Sequence, residues 1–432
     1  MARTEIVVLG SGFAGLETAF RLRARTGEDD VGITVVSERD DFLFRPGTVR
    51  LPFGAAEEPL HVPLAGAFRR RGIGAVIATA EGIDLDRGQV HTSRGRISYD
   101  RLVVATGAAS RPEEIPGLAE HAHSIAAPGA LHRLGEDLRW AAQNARHGRP
   151  QRVLFTLPPG NQCAAPLYAI ALMLDTWLRR KQIRDNVEIA FETCEETYVQ
   201  AFGPKLHALV SRQFEARGID GRTATTLAKA TERSAVFADG SEREFDVLAT
   251  FPPQVASVGY SGLQCDERGF LRCETVSRAV CGRPEVYAPG DAGNFPLKLG
   301  YAAMLQADAV ADAIAAQQSR TMLSARPIPA VRYVLDMLDD AAFAQIPLLP
   351  GDDPARVDEE SARYRVGSGA FWRAGARLAE TALSARFRLG LPFRVSVGRV
   401  ARSSRRDRTR QEPRPVPRRT ETPRSEAGRS GP

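Results

Sequence analysis

The sequence predicts an α/β chain built on two parallel sheets, followed by a smaller C-terminal segment, and three observations carry that prediction. Short runs rich in Val, Ile and Leu alternate with helical stretches from residue 5 onward, the order that yields parallel strands joined by crossover helices. The strand–glycine turn–helix unit that opens the chain returns in altered form near residue 153. A length of 432 residues is too great for one core and suits two or three domains.

Hydrophobic residues make up 43% of the chain and charged residues 25%, close to the globular average. That excludes a wholly disordered chain, a collagen-like fibre and a multi-span membrane protein. Five cysteines without a CxxC exclude a disulfide-stapled secreted scaffold and a zinc ribbon, so a reducing compartment is expected. The net charge of +6 is a property of the tail: residues 399–432 carry +7, which leaves the body at −1 and argues against nucleic acid as a partner. No secretory leader is expected, since the first strand starts almost at Met1, and the best apolar stretch, Ala164–Leu178, is broken by Asp175. The expectation is a cytoplasmic chain, or one peripheral at the inner face of the membrane.

Taken in order, the first block reads as strand Ile6–Leu9, the turn Gly10-Ser-Gly-Phe-Ala-Gly15, helix Leu16–Arg25 and strand Ile33–Val36, and it closes near Leu102–Gly107. A helix around Leu131–Arg146 leads to the second block. There strand Val153–Thr156, a proline-glycine turn, helix Pro166–Arg180 and strand Val187–Glu192 repeat the pattern, with helix Lys205–Arg217 and strand residues up to Thr250 behind them. A third block returns through strand Val286–Ala288 and helix Ala302–Ala316. Residues 327–398 read as folded but irregular. Residues 399–432 are Arg, Pro, Ser and Thr with few large apolar side chains, a composition that cannot offset the entropy of ordering, so a disordered tail is expected.

Gly10-x-Gly12-x-x-Gly15 between a strand and a helix is the context in which a glycine pattern binds a dinucleotide. The first glycine permits the tight turn, the second lets the backbone approach a pyrophosphate, and the third lets helix and strand pack closely. The positive end of the helix then holds the phosphate, and Glu38, closing the second strand, is placed to accept from a ribose diol. The motif alone does not separate FAD from NAD.

Two later stretches do. Ala105-Thr-Gly-Ala-Ala-Ser-Arg-Pro-Glu-Glu-Ile-Pro-Gly117 and Val286-Tyr-Ala-Pro-Gly-Asp-Ala292 resemble the internal and distal FAD motifs of the two-dinucleotide-binding-domain flavoproteins. The resemblance covers about residues 5–318. It implies two Rossmann-like domains: a discontinuous FAD domain over 1–125 and 253–326, and a second one over 126–252. A C-terminal α+β segment over 327–398 and the tail follow. It also implies FAD contacts from Gly10, Gly12, Phe13, Ala14, Gly15, Glu38, Arg39, Arg45, Pro46, Ala80, Thr106, Gly107, Gly290, Asp291 and Tyr301. Asp291 would accept from the ribityl chain, and the helix after Gly300 would aim its positive end at the flavin pyrimidine ring.

Where relatives carry a second glycine turn for NAD(P)H, this chain has Thr156-Leu-Pro-Pro-Gly-Asn-Gln-Cys-Ala-Ala-Pro166. Pro158 and Pro159 offer no N–H to a phosphate and cannot take positive φ, which disfavours nicotinamide binding. Cys163 instead precedes a helix start, where the dipole favours thiolate. Cys163-Ala-Ala-Pro166-Leu-Tyr168, with Phe42-Leu-Phe-Arg-Pro46, resembles the sulfide:quinone oxidoreductases and the flavin subunit of flavocytochrome c sulfide dehydrogenases. That likeness implies an FAD-dependent oxidoreductase in which Cys163 is the catalytic thiol, a sulfur or thiol compound is the substrate, and a quinone or a protein accepts the electrons.

The resemblance departs in one place. Sulfide-oxidising relatives use a second cysteine after the distal FAD motif, whereas this chain has none after Cys281 and carries Tyr333 at the matching strand. Cys194, Cys265, Cys273 and Cys281 read as structural or surface thiols, and the seven histidines show no metal-ligand spacing. Within 371–389, Phe371, Gly375, Leu378, Ala382, Ala385 and Leu389 recur at three and four, with Arg373, Arg377, Ser384 and Arg388 on another face. Such a helix either lies in a membrane interface, bringing 361–432 to the lipid surface, or packs on the FAD domain with a solvated Arg face. A homodimer is the expected assembly if one forms. The alternatives are an enzyme similar to the type II NADH dehydrogenases, a non-catalytic flavin-binding redox partner, and a tailoring oxidase.

Overall fold

The computed structural model of the chain describes residues 3–161, 164–319, 330–349 and 356–393. Cys163 and the whole of 399–432, for which a catalytic thiol and a disordered tail are expected, lie outside the described residues.

The chain opens with strand β1 (Thr4–Leu9), helix α1 (Phe13–Arg25) and strand β2 (Val31–Ser37), followed by β3 (Gly74–Ile77) and β4 (Arg101–Val104). β1 pairs in parallel with β2 and β4, in the register Ile6↔Ile33 and Ile6↔Arg101. Both faces of this sheet are covered, so Ile6, Val7, Val8 and Leu9 are all buried, and the strand is continuously apolar instead of alternating. Helix α1 starts three residues earlier than the apolar period suggests. Gly12 is extended and its carbonyl already accepts from Leu16 N, so the turn itself supplies the helix N-terminus.

A second parallel sheet follows, preceded by helix α2 (Pro128–Arg146) and built around β5 (Gln151–Leu157), α3 (Ala165–Arg180), β6 (Val187–Thr193), α4 (Pro204–Arg217) and β7 (Val247–Thr250). Its order is His123–Ser124, β7, β5, β6, Asp220–Arg222, every pair parallel. Helix α3 is buried on nearly all sides, and its one acid, Asp175, is met there by Arg179, Arg184 and Arg217 at 2.9, 2.6 and 2.9 Å. The chain then returns to the first sheet: β8 (Arg283–Tyr287) lies parallel to β4, and helix α5 (Gly300–Ser319) packs on α1.

The C-terminal segment is more regular than its sequence suggests. Strands β9 (Ala330–Asp336), β10 (Ala341–Pro347) and β11 (Arg365–Gly369) form an antiparallel sheet, and helix α6 (Ala370–Leu389) follows. Of the two alternatives for α6, packing on the body is the one observed, though through other residues than the stripe. Leu383 and Phe387 are buried against the body, with the Phe387 ring 5.0 Å from Phe42 and 6.0 Å from Phe20. The stripe Phe371, Gly375, Leu378, Ala382, Ala385 and Leu389 faces outward, with Phe371 and Leu378 78% and 72% exposed. Arg373, expected on the solvated face, is turned inward to donate to Asp336 at 2.9 Å. Among the described residues no helix is long and apolar enough to cross a membrane.

Candidate functional site

The turn after β1 is where three separate stretches of chain meet. Gly10 has φ +105°, and a methyl group on it would run into the carbonyl oxygen of Ala105 on the loop after β4. A methyl on Gly15 would run into the carbonyl of Gly10, so α1 touches the strand end only because both positions are glycine. Gly12, by contrast, is exposed, with nothing within 4 Å of where its Cβ would stand. The middle glycine therefore presents open backbone at a helix N-terminus, the feature a diphosphate needs.

The distal stretch closes on this turn from the other side. Gly290 has φ +76°, and its Cβ position lies 2.9 Å from that of Ala14; Gly300 stands as close to the Phe13 ring. Thr106 and Gly107 are half-buried beside it, Gly107 with φ +81° and open space before it. The Asp291 carboxyl is half-buried and makes no side-chain hydrogen bond among the described residues; burial pushes its pKa up, with Lys298 and Arg45 pulling the other way. Tyr301, in the first turn of α5, stands edge-on to Phe393 at 5.7 Å. Glu38 and Arg39 are exposed and line an open hollow of about 530 Å³ together with Asp40, Asp41, Ile77 and Arg94, at the far side of the glycine turn. Ala80 starts the neighbouring strand Ala80–Asp84. Arg45 and Pro46 are exposed, and Arg45 donates to the carbonyl of Ala126 at 3.2 Å. These residues fit FAD: open backbone for the diphosphate, a polar hollow for the adenosine end, and an unengaged carboxyl for the ribityl chain.

Sequence reasoning missed what holds the distal loop in place. Gln306, buried in α5, accepts from Gly290 N at 2.9 Å, and Lys298 donates to the carbonyls of Asp291 and Gly293 at 3.1 and 2.5 Å. A signal for the lysine exists, since the chain uses Lys only four times against a large excess of Arg. Sequence also missed the aromatic cluster of Phe13, Phe42, Phe44 and Phe387, whose rings lie 4.9 to 6.5 Å from Phe13.

At the corresponding place in the second sheet, the described residues of the turn are engaged with their neighbours. Pro158 and Pro159 follow β5, Gly160 accepts from Gln254 N at 2.9 Å, and Asn161 donates to Pro252 at 3.2 Å. The acids near the end of β6 are already engaged. Glu192 is fully buried against Arg222 and Arg243, and Glu195 accepts from Tyr168 Oη at 2.6 Å and from Gln200 N at 3.0 Å. Tyr168 is wholly buried, and burial raises the pKa of both partners. Burial likewise pushes the Cys194 and Cys273 thiols up to about 11, so both stay protonated and weakly nucleophilic at neutral pH. Tyr333 stacks on Phe202 at 5.2 Å.

Residues 4–136 match the pyridine nucleotide-disulphide oxidoreductase family. The crystal structure of sulfide:quinone oxidoreductase from Aquifex aeolicus superposes with a TM-score of 0.80 at 24% identity, over 90% of this chain and 92% of that one. The fold is that of the two-dinucleotide-binding-domain flavoproteins. In sequence the chain is 32% identical to the sulfide-quinone reductase of Aquifex aeolicus (strain VF5) over 276 residues, which span 59% of this chain and 60% of that relative's length. A type II NADH:quinone oxidoreductase of Staphylococcus epidermidis is 23% identical over 68% of the chain and 75% of its own length. The resemblance to sulfide:quinone oxidoreductase is therefore the stronger in identity, while the aligned part spans under two thirds of that relative.

Proposed function

We propose that the protein is an FAD-dependent oxidoreductase that oxidises a sulfur or thiol compound and passes the electrons to a quinone or another acceptor. The observation that carries this reading is the contrast between the two turns: the first presents open glycine backbone, while the second carries Pro158 and Pro159, which offer no N–H, beside acids already paired with Tyr168, Arg222 and Arg243. A chain so built favours a dinucleotide at the first turn over the second. FAD, when bound, supplies the two-electron acceptor. Gly10, Gly12, Phe13, Ala14 and Gly15 would hold its diphosphate, Glu38, Arg39 and Ala80 its adenosine end, and Arg45, Pro46, Thr106, Gly107, Gly290, Asp291 and Tyr301 its flavin end. Cys163, before the N-terminus of α3, would be the thiol that meets the sulfur substrate.

The outward stripe of α6 supports a contact with a lipid surface, where an acceptor quinone resides. Phe371 and Leu378 would enter the interface, flanked by Arg377 and Arg388 for anionic headgroups. The deciding experiment is anaerobic reduction of the FAD-loaded protein, followed by the flavin spectrum, with sulfide or small thiols against NADH and with wild type beside Cys163→Ser. Bleaching by a sulfur donor that the variant loses is expected. Stoichiometric bleaching by NADH would transfer the protein to the type II NADH:quinone oxidoreductase reading, and no bleaching by any donor would leave a non-catalytic flavin protein.

A further inference from the structure

Beneath the loop Gly290–Gly293 lie two buried cations with few anions to match them. Lys298 is 7% exposed and Arg278 2%. The Lys298 ammonium donates to the carbonyls of Asp291 and Gly293 at 3.1 and 2.5 Å and sits 3.7 Å above the centre of the buried Phe270 ring, which uses all three of its protons. Arg278 comes from the hairpin behind the loop, in left-handed conformation with φ +59°. Its Nη2 would stand 2.5 Å from a methyl on Gly293, and neither Nε nor Nη2 finds a hydrogen-bond partner among the described residues. The groups facing Lys298 are Asp291 on the loop, Arg278 and Cys273 on the hairpin, and Asp266 on the turn before it. A buried cation without a matching carboxylate is costly unless something anionic is brought close.

We propose that Lys298 and Arg278 are positioning residues for the cofactor: Lys298 fixes the carbonyls of the loop that presents Asp291, and the two charges together make that loop favour an anionic ligand. The inference rests on the FAD reading above and adds to it the residues that set the loop. Lysine is required at 298 because a compact ammonium can point one proton at each of two carbonyls and one at a ring, which a planar guanidinium cannot. The position thus keeps one of only four lysines in a chain that otherwise uses Arg.

The charge on Lys298 gives the test. Burial pulls its pKa down to about 8, against the attraction of Asp291. An anionic cofactor bound nearby raises the proton affinity of the ammonium. By linkage, FAD affinity is then level below the free-protein value and falls as pH rises through it, by at most about tenfold per pH unit. The Cys273 thiol, pushed up to about 11, titrates outside that window.

FAD affinity is measured by quenching of free-flavin fluorescence from about pH 7 to about pH 9.5, on reconstituted full-length protein. Wild type is expected to lose about tenfold in affinity across that interval, with the fall setting in near pH 8. Lys298→Met is expected to bind about tenfold or more weakly with a flat profile, Lys298→Arg to be weakened and flat, and Arg278→Met to be weakened with the fall retained. A wild-type profile that is flat overturns the proposal without recourse to any variant. So does a Lys298→Met protein with wild-type affinity or an unchanged pH profile. A wild type that takes up no FAD at any pH overturns the FAD reading itself, and the proposal with it.

Discussion

Removing the ring of Phe387 probes how helix α6 is fastened to the body. The ring is wholly buried and lies 5.0, 6.0 and 6.5 Å from Phe42, Phe20 and Phe13, two of which belong to α1. Truncating a buried Phe to Ala costs about 3–5 kcal/mol, and the amount depends on how far the surroundings collapse into the space. Here α1 is pinned to the sheet at Gly15 and cannot follow, so Phe387→Ala is expected near the middle of that range, about 4 kcal/mol. What then remains to hold α6 includes Leu383, Trp372 stacked on Phe343 at 4.2 Å, the Arg50–Glu380 pair at 2.8 Å, the Arg373–Asp336 pair at 2.9 Å and the Arg70 donation to the Arg388 carbonyl. The helix should open well before the sheets do. Hydrogen exchange followed peptide by peptide checks this: exchange over residues 370–389 should accelerate by roughly a thousandfold, while β5 and β6 are little changed. Loss of less than about 1 kcal/mol, or an equal loss of protection over the second sheet, would refute the claim that this ring carries the attachment.

Gly15→Ala places a methyl against the Gly10 carbonyl, so FAD binding should be abolished; retention of flavin through purification would contradict the reading of the turn. Phe371→Glu combined with Leu378→Glu alters only the outward stripe of α6, so co-sedimentation with anionic vesicles should fall while thermal stability stays within about 0.5 kcal/mol. His61 meets Asp41 through Nδ1 and Glu57 through Nε2 at 3.1 Å, and the Asp41 hydrogen bond chiefly raises its pKa. Its contribution is thus full below the ordinary histidine range and is lost as pH rises through the raised value. Since the side chain is about a quarter exposed, the effect is small, about 1 kcal/mol or less. His61→Gln should remove that pH dependence from urea unfolding curves, and an unchanged curve would exclude the role.

The glycine turn was legible in the sequence because its spacing is local, although the Ala105 carbonyl that Gly10 must clear comes from a distant loop. Gly10, Gly12 and Gly15 lie within six residues; Gly10 and Gly15 answer backbone clashes, and Gly12 leaves the backbone open. The parallel strands were legible for the same reason, being short apolar runs bounded by turns. Pro158 and Pro159 mark the altered second turn through the N–H groups they lack. The side-chain pairing beside it was harder to see. Glu195 and Tyr168 are 27 residues apart, and nothing in either residue's neighbourhood says that a phenol will meet a carboxyl.

The helix α6 was legible from its period, yet the apolar stripe read from it is not the face that packs. The burial of Leu383 and Phe387 depends on an aromatic cluster contributed by residues more than 300 positions earlier. Sequence by itself determined the elements and the places of the two turns, because those follow from covalent geometry and from periods of two to four residues. Only the tertiary structure decided which side chains meet: that Lys298 and Gln306 fasten the distal loop, that Arg278 stands beneath it, and that α6 keeps one face in and another out. Contacts of that kind are set by how sheets and helices stack, and hydrophobic burial, being non-directional, does not name its partners in advance.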